Sequence, residues 1–421
     1  MTRETNQTGT VKPGDVLNVR IEKLLHGGDG LARCSGRACF VPDVIPGEHI
    51  TARVTSVKSQ YIVANPVEIH KPSSHRVTPA CELHDCCGGC QWQHIAYEHQ
   101  LHWKSAIVGE CFQRIGKIHD CSVAAALPSP PFHYRFRTQL KVCFAEELQM
   151  GFYKKGSHDI VDVSVCPLLA PALNQALPAI RKRLAEDASL RGRVTEVELL
   201  YVQQARKTLI ACNNTERSKL IYDEQDQSFS TYTQPLVEKI RGLFFQRDAE
   251  SFYQVNHEQN SRLIELVEEL FAPESPGAIL DLFCGCGNFS LFLARHGAAL
   301  IAIDSNKPAI HEARANAALN NITHCRFIAD SSETISTHLP GSTKNRMLLN
   351  PPRSGCTDRT IKAMLAFAPA QLVYISCNPA TLARDVRKLV SGGYRLDSVR
   401  PVDMFPQTYH VETIVKMIRR H

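Results

Sequence analysis

The spacing of apolar positions divides the chain into three stretches with different rhythms. From about residue 12 to 70, short alternating runs are split by turn residues: 16–21, the glycine-rich His26-Gly-Gly-Asp-Gly30, 38–41, 50–54 and 61–64, with Pro42 and Pro46-Gly47 marking a turn. Five such runs in so short a stretch predict a small β-barrel. From 70 to about 245 the pattern is mixed, with helices predicted over 97–115 and 173–184 and strands over 137–144 and 194–202. From 252 onward helix and strand alternate. Residues 260–271 read as an amphipathic helix, 278–282 as a buried strand, and 290–295 as a helix start. Residues 299–303 read as a strand, 307–319 as a helix, and 346–350 and 372–376 as later strands. That alternation predicts an open, mostly parallel α/β sheet. The expected units are 1–70, 71–249 and 250–421, within a chain whose length exceeds one ordinary core.

Composition narrows the class. With 43% hydrophobic and 21% charged residues the chain reads as a soluble globular protein. No apolar run approaches the roughly 20 residues of a membrane helix, and residues 1–12 lack a signal-peptide core. A cytoplasmic protein is therefore expected; a monomer is expected as well, on no specific feature of the sequence. A net charge of +6 permits a nucleic-acid partner without demanding one. Sixteen cysteines in so long a chain do not fit a small secreted disulfide framework, so they read as metal ligands, nucleophiles or core residues.

Two segments carry candidate chemistry. Asp281-Leu-Phe-Cys-Gly-Cys-Gly-Asn-Phe-Ser290 lies between a predicted strand and helix. Gly285 and Gly287 would let the backbone approach a ligand, at the strand end where open α/β sheets bind. The next strand ends in Asp304, an acid placed to accept from ribose hydroxyls. A lone Gly-x-Gly would be an ordinary helix-entry turn, but strand, loop, helix, strand and terminal acid together favour a nucleoside cofactor. Asn288 at the third turn position weakens a pyrophosphate reading. In the second segment Cys377 follows a buried strand directly and is followed by Asn378-Pro379. A thiol there could act as a soft nucleophile, although a lone cysteine is more often a core residue. A third cluster, Cys81-x5-Cys87-x2-Cys90 with Cys166 downstream, has spacing that can wrap a metal, and from spacing alone zinc is favoured.

Five motifs occur in order: Phe252-Tyr-Gln-Val-Asn256, Asp281-Leu-Phe-Cys-Gly-Cys-Gly-Asn288, Asn350-Pro-Pro-Arg353, Ser376-Cys-Asn-Pro-Ala-Thr381 and His410-Val-Glu-Thr413. Together they resemble the RNA 5-methyluridine methyltransferases, most closely the bacterial branch acting on 23S ribosomal RNA, and the resemblance spans nearly the whole chain. It implies a class I, Rossmann-like methyltransferase domain, a mixed α+β central domain and an N-terminal OB-like barrel of the TRAM type. It implies S-adenosylmethionine as cofactor, held by Gln254, Phe283, Asn288, Asp304, Asp330 and Asn350, with Cys377 as nucleophile and Glu412 as base. It turns the metal reading to a [4Fe–4S] cluster on Cys81, Cys87, Cys90 and Cys166, leaving Cys86 spare. The cysteine spacing departs from the Cys-x3-Cys-x2-Cys of radical enzymes, so a structural role is expected. One departure stands out: the family usually carries Asp where this chain has Asn350. Asn keeps the shape and loses the charge, so reduced efficiency is expected.

The implied partner is RNA, ribosomal first and transfer RNA as the alternative. Arg20, Lys23, Arg33, Arg37, Arg53 and Lys58 are candidate phosphate contacts, and Phe132-His-Tyr-Arg-Phe-Arg137 is a candidate stacking patch. Either run could equally be a solvated face. Two rival functions are an RNA-binding protein with a vestigial methyltransferase domain and an exocyclic-amine methyltransferase. The first leaves Cys377 and Glu412 without a reason to persist. The second expects an aromatic residue where Arg353 stands, and needs no cysteine.

Overall fold

A computed structural model describes residues 11–213, 218–232, 234–248, 253–271, 277–295, 297, 299–338 and 345–420. Phe252 and residues 1–10 of the sequence reading lie outside them.

The N-terminal sheet has six strands where five were expected, in the spatial order Val16–Arg20, His49–Val57, Tyr61–Lys71, Arg37–Val41, Gly30–Cys34 and Lys23–Leu24. The glycine-rich segment is a turn and not a strand. Gly27 and Gly28 have φ of 125° and 102°, values that L side chains avoid, and they fold Lys23–Leu24 back onto Gly30–Cys34. Alternate residues such as Leu17, Val19, Ile50, Ala52 and Val54 point into one small core.

The central sheet is antiparallel and seven-stranded. The expected strands appear as Arg137–Phe144 and Glu196–Val202, paired with each other. The helix Pro171–Glu186 covers one face through Leu173, Leu177, Ile180 and Leu184. The long helix Tyr97–Arg114 instead leaves this region and packs on the C-terminal sheet through Ile107, Val108 and Phe112.

The C-terminal sheet orders its strands Cys325–Ala329, Leu300–Asp304, Ile279–Leu282, Arg346–Leu349, Gln371–Ser376, Glu412–Arg419 and Tyr394–Val402. The first five are parallel, and Glu412–Arg419 runs antiparallel to both its neighbours. Strands buried on both faces read as continuous apolar runs, as in Leu372-Val-Tyr-Ile-Ser376. Separate cores lie above and below the sheet: Leu280, Leu282, Met347 and Tyr374 contribute to one, Ile279, Ala302, Leu348 and Val373 to the other. The result is a three-layer arrangement whose parallel strands all end on one edge.

Candidate active site

The glycine loop occupies that edge. Phe283, at the end of Ile279–Leu282, has φ of 62°, and Gly285 and Gly287 are also left-handed, at 55° and 88°. Asp304 braces the loop: its carboxylate accepts the Gly285 N–H at 2.9 Å and the Asn306 N–H at 2.8 Å. Asn288 lies on the same loop, but its side-chain amide is engaged reciprocally with Asn260, at 2.9 and 3.0 Å. Asp330 follows the adjoining strand and pairs with His338 at 2.8 Å, a contact that lowers its pKa. Asn350 ends Arg346–Leu349, with its N–H 3.3 Å from the Leu282 carbonyl. Gln254 is half-buried on another segment, next to Tyr253, which packs against Cys286 of the loop.

Asp281 was legible only as a motif letter, and the structure makes it a distinct feature. It is fully buried, and burial pushes its pKa up to about 7 against the hydrogen bond that Ser290 donates. Its Oδ1 has no partner among the described residues.

Cys377 sits one residue beyond Gln371–Ser376, half-buried. Ser376 is in register with Thr413 on the antiparallel neighbour, so continuing the ladder by one residue sets Cys377 across from Glu412. Glu412 is 4% exposed, whereas glutamates are mostly solvated. Burial raises its pKa to about 8, with Arg353 opposing the shift. The Cys377 thiol is also raised, first by burial and then by the Glu412 carboxylate, while the Arg353 guanidinium within hydrogen-bonding reach pulls it down. Beside them, burial and Arg353 lower His410 to about 4, so its imidazole is neutral at pH 7.

Arg353 therefore links both groups, a role that sequence reading missed. Its placement has local causes. Asn378 caps the helix Pro379–Ser391, with Pro379 at the first position, and the Asn378 and Thr381 side chains both donate to the Arg353 carbonyl, at 3.3 and 3.1 Å. Asp385 accepts the Cys356 N–H and the Tyr374 hydroxyl at 2.8 Å each. Gly355 permits this clasp: a Cβ there would lie 2.5 Å from Asp385 Oδ2.

The candidate RNA contacts divide. Arg20, Arg33, Arg53 and Lys58 are exposed on the barrel and Arg37 is half-buried, whereas Lys23 is paired with Glu110 at 2.5 Å. The aromatic patch is mostly structural: Tyr134 is buried with its hydroxyl on the Pro406 carbonyl, Phe136 stacks on His257 at 4.3 Å, and Arg137 pairs with Glu198. A cleft of about 530 Å³ opens between the barrel turn at Gly27 and Gly28, the Gly88-Gly89 loop, residues 152–156 and Tyr409. Tyr409 lies tilted against His410 with ring centroids 4.2 Å apart, and Arg353 acts on His410 as it does on Cys377 and Glu412, so this pair leads from the cleft toward them.

Cys81, Cys87, Cys90 and Cys166 lie close enough to act on one another's thiols, and Gly88 and Gly89 between two of them line that cleft. Burial raises Cys87, Cys90 and Cys166, Cys90 to about 12, and other cysteines of the set add to each shift. The Cys87 sulfur accepts the Gly89 N–H at 3.4 Å, and Cys166 accepts from Leu168 and Leu169. Cys86 is exposed and donates to the Leu83 carbonyl.

The sheet order, the glycine loop and the acid at the end of the second strand define an S-adenosylmethionine-dependent methyltransferase of class I. The sequence model described as tRNA (Uracil-5-)-methyltransferase matches residues 219–420, and that of the TRAM domain matches 10–67. The chain belongs to the RNA uracil-5-methyltransferase family. A Bacillus cereus protein described as an uncharacterized RNA methyltransferase is 32% identical over 458 aligned positions, covering 99% of each chain. A protein of the same description from Thermosynechococcus vestitus is 33% identical, covering 95% of this chain and 97% of its own. The crystal structure of Pyrococcus abyssi tRNA (uracil-54, C5)-methyltransferase with S-adenosyl-L-homocysteine superposes with a TM-score of 0.74 at 26% identity, covering 95% of this chain and all of that one. Among the described residues no helix is long and apolar enough to cross a membrane.

Proposed function

We propose that this chain methylates carbon 5 of a uridine in 23S ribosomal RNA through a covalent bond between Cys377 and carbon 6 of the uracil. The observation that carries this reading is the placement of Cys377, one residue past the Ser376–Thr413 pair, where the Glu412 carboxylate acts on its thiol, on the edge that holds the glycine loop. Carbon 5 of uracil is a weak nucleophile. Addition of the Cys377 thiolate at carbon 6 makes it enolate-like, and bound S-adenosylmethionine supplies an electrophilic methyl sulfonium. Arg353 stabilises the thiolate against burial. A thiolate at Cys377 and a carboxylate at Glu412 disfavour one another. Once the sulfur is consumed in the thioether that repulsion is gone, and Glu412 is free to ionise and take the carbon-5 proton. Release of Cys377 then restores the aromatic ring.

Toward the cofactor, Asp281 offers an orphaned buried oxygen suited to an ammonium group, and Asp304 lies where ribose hydroxyls would reach it. Gln254, Phe283, Asp330 and Asn350 complete the proposed contacts. Asn288 would contribute through its backbone, because its amide is already paired. Asn350→Asp should raise kcat/KM by roughly fivefold, the advantage of about 1 kcal/mol that a charged acceptor holds over a neutral one. Steady-state kinetics on the two proteins check this, and a lower value for the aspartate would contradict it.

For the cysteine set we propose a [4Fe–4S] cluster. Among the described residues no three of these sulfurs approach within 4.8 Å of one another, whereas a single tetrahedral zinc holds its sulfurs roughly 3.8 Å apart. N–H groups aimed at Cys87 and Cys166 suit cluster thiolates. Protein purified without oxygen should carry about four irons per chain. Cys166→Ser should lower the iron content, measured by elemental analysis, whereas Cys86→Ser should leave it unchanged.

The deciding experiment is methyl transfer from labelled S-adenosylmethionine to unmodified ribosomal and transfer RNA, by native protein and Cys377→Ala. Label recovered as 5-methyluridine in ribosomal RNA, and lost in the variant, is the expected result. Transfer RNA is the second reading, because the matched family description and the Pyrococcus abyssi enzyme both name it. Label in neither RNA, with RNA still bound, would overturn the enzymatic reading in favour of a binding protein.

A further inference from the structure

Away from the active site, Asp43, His84 and His94 each bring one ligand atom to within 4.8 Å of the others. They come from distant parts of the chain. Asp43 lies in the turn after the barrel strand Arg37–Val41, His84 in the loop between Cys81 and Cys87, and His94 just before the helix Tyr97–Arg114. Both imidazoles are 4% exposed. Among the described residues, neither nitrogen of His84 has a hydrogen-bond partner, and neither does Nδ1 of His94. Buried polar atoms are nearly always paired, so three orphaned nitrogens in one spot require an explanation.

The hydrogen bonding fixes which atoms are available. His94 Nε2 lies 3.4 Å from the Val44 carbonyl, which can only accept, so the proton belongs on Nε2 and the lone pair on Nδ1. A backbone carbonyl behind an imidazole is how metal-binding histidines are commonly oriented. Burial keeps both rings neutral, with His84 lowered and His94 lowered to about 4. Asp43 Oδ1 is 3.8 Å from His84 Nε2. Two cations flank the site: Lys155 sits 3.0 Å from each Asp43 oxygen, so an ion would share that carboxylate with it, and Arg76 bonds both oxygens of Glu48, at 2.7 and 2.8 Å. A cleft of about 380 Å³, lined also by Arg76, Thr78 and Asp85, leaves room for a water or another fourth ligand.

We propose that Asp43, His84 and His94 form a binding site for one divalent transition-metal ion of the zinc type, separate from the four cysteines. Two imidazole nitrogens and one carboxylate suit zinc, whereas magnesium and calcium require oxygen ligands. The ion joins the barrel to the cysteine loop, so it fixes the wall of the cleft beside Tyr409. It takes no part in chemistry at Cys377.

The test uses the full chain, purified without a histidine tag and dialysed against zinc, alongside the double variant Asp43→Asn, His94→Gln. Elemental analysis should show the variant losing about one zinc per chain while its iron content stays that of the native protein. Independently of any variant, cobalt(II) added to native protein should give visible bands without sulfur-to-cobalt charge transfer. Zinc retained by the variant at the native level overturns the proposal. So does a native protein that keeps no zinc and gives no cobalt bands, or one whose cobalt spectrum shows thiolate ligation.

Discussion

Glu412→Gln is expected to halt turnover and yet yield a more stable protein above neutral pH. Glutamine fills the same space, accepts a hydrogen bond and cannot take a proton. Methyl transfer to carbon 5 can then proceed, but the carbon-5 proton stays and Cys377 is not expelled, so a protein–RNA adduct should survive denaturing electrophoresis. The stability change follows from the raised pKa. Glu412 titrates near 8 when folded, against an ordinary value of 4.5. The native state therefore holds a proton that the unfolded chain releases between those pH values. The stability this proton provides is complete below about 4.5 and is lost as pH rises through 8. Glutamine escapes that loss, and at 1.36 kcal/mol per pH unit its advantage at pH 8 should reach roughly 4 kcal/mol. Urea unfolding of both proteins at pH 5 and pH 8 measures it. An advantage that does not grow with pH, or turnover within tenfold of native, would sink the assignment of Glu412.

Lys104→Ala should be the most destabilising single change outside the hydrophobic cores. Lys104 and Asp403 are both 0% exposed, and Nζ lies 2.5 Å from Asp403 Oδ1 and 3.0 Å from the Phe405 carbonyl. The pair ties the helix Tyr97–Arg114 to the segment that leads through His410 to Glu412. Removing the ammonium leaves a buried carboxylate uncompensated, which costs about 3–5 kcal/mol. Replacing both partners by apolar residues of similar size should recover most of that loss, because no orphan charge remains. Denaturant midpoints for the single and double variants test this, and a single variant within 1 kcal/mol of native, on the same scale, would contradict it.

Much of this organisation was legible in the sequence, for identifiable reasons. The glycine loop could be read because left-handed backbone restricts residue choice. The helix Lys307–Leu319 and the strand Arg137–Phe144 fell where periodicity put them. The strands Tyr394–Val402 and Glu412–Arg419 were not read from the pattern. Tyr394–Val402 alternates weakly and carries an irregularity between Leu396 and Ser398. Glu412 was therefore identifiable only by resemblance, since its burial depends on a pairing across the sheet. Arg353 and Asp281 were missed as individuals because their significance lies in what folding brings beside them. Tyr134 and Arg137 misled in the opposite direction: a basic-aromatic run resembles a stacking surface until its ring is found buried and its guanidinium paired.

The antiparallel insertion of Glu412–Arg419 makes the active site intolerant of length changes. Side chains alternate faces along a strand, so a one-residue slip would turn Glu412 to the opposite side and bring a neighbour to Cys377. A deletion within the ladder, far from any ligand, would thus remove the base as completely as mutating it. Loops at the other edge of the same sheet can lengthen or shorten without altering that alignment. Natural variation in this region should consequently appear as substitutions within the ladder, with insertions confined to the turns outside it.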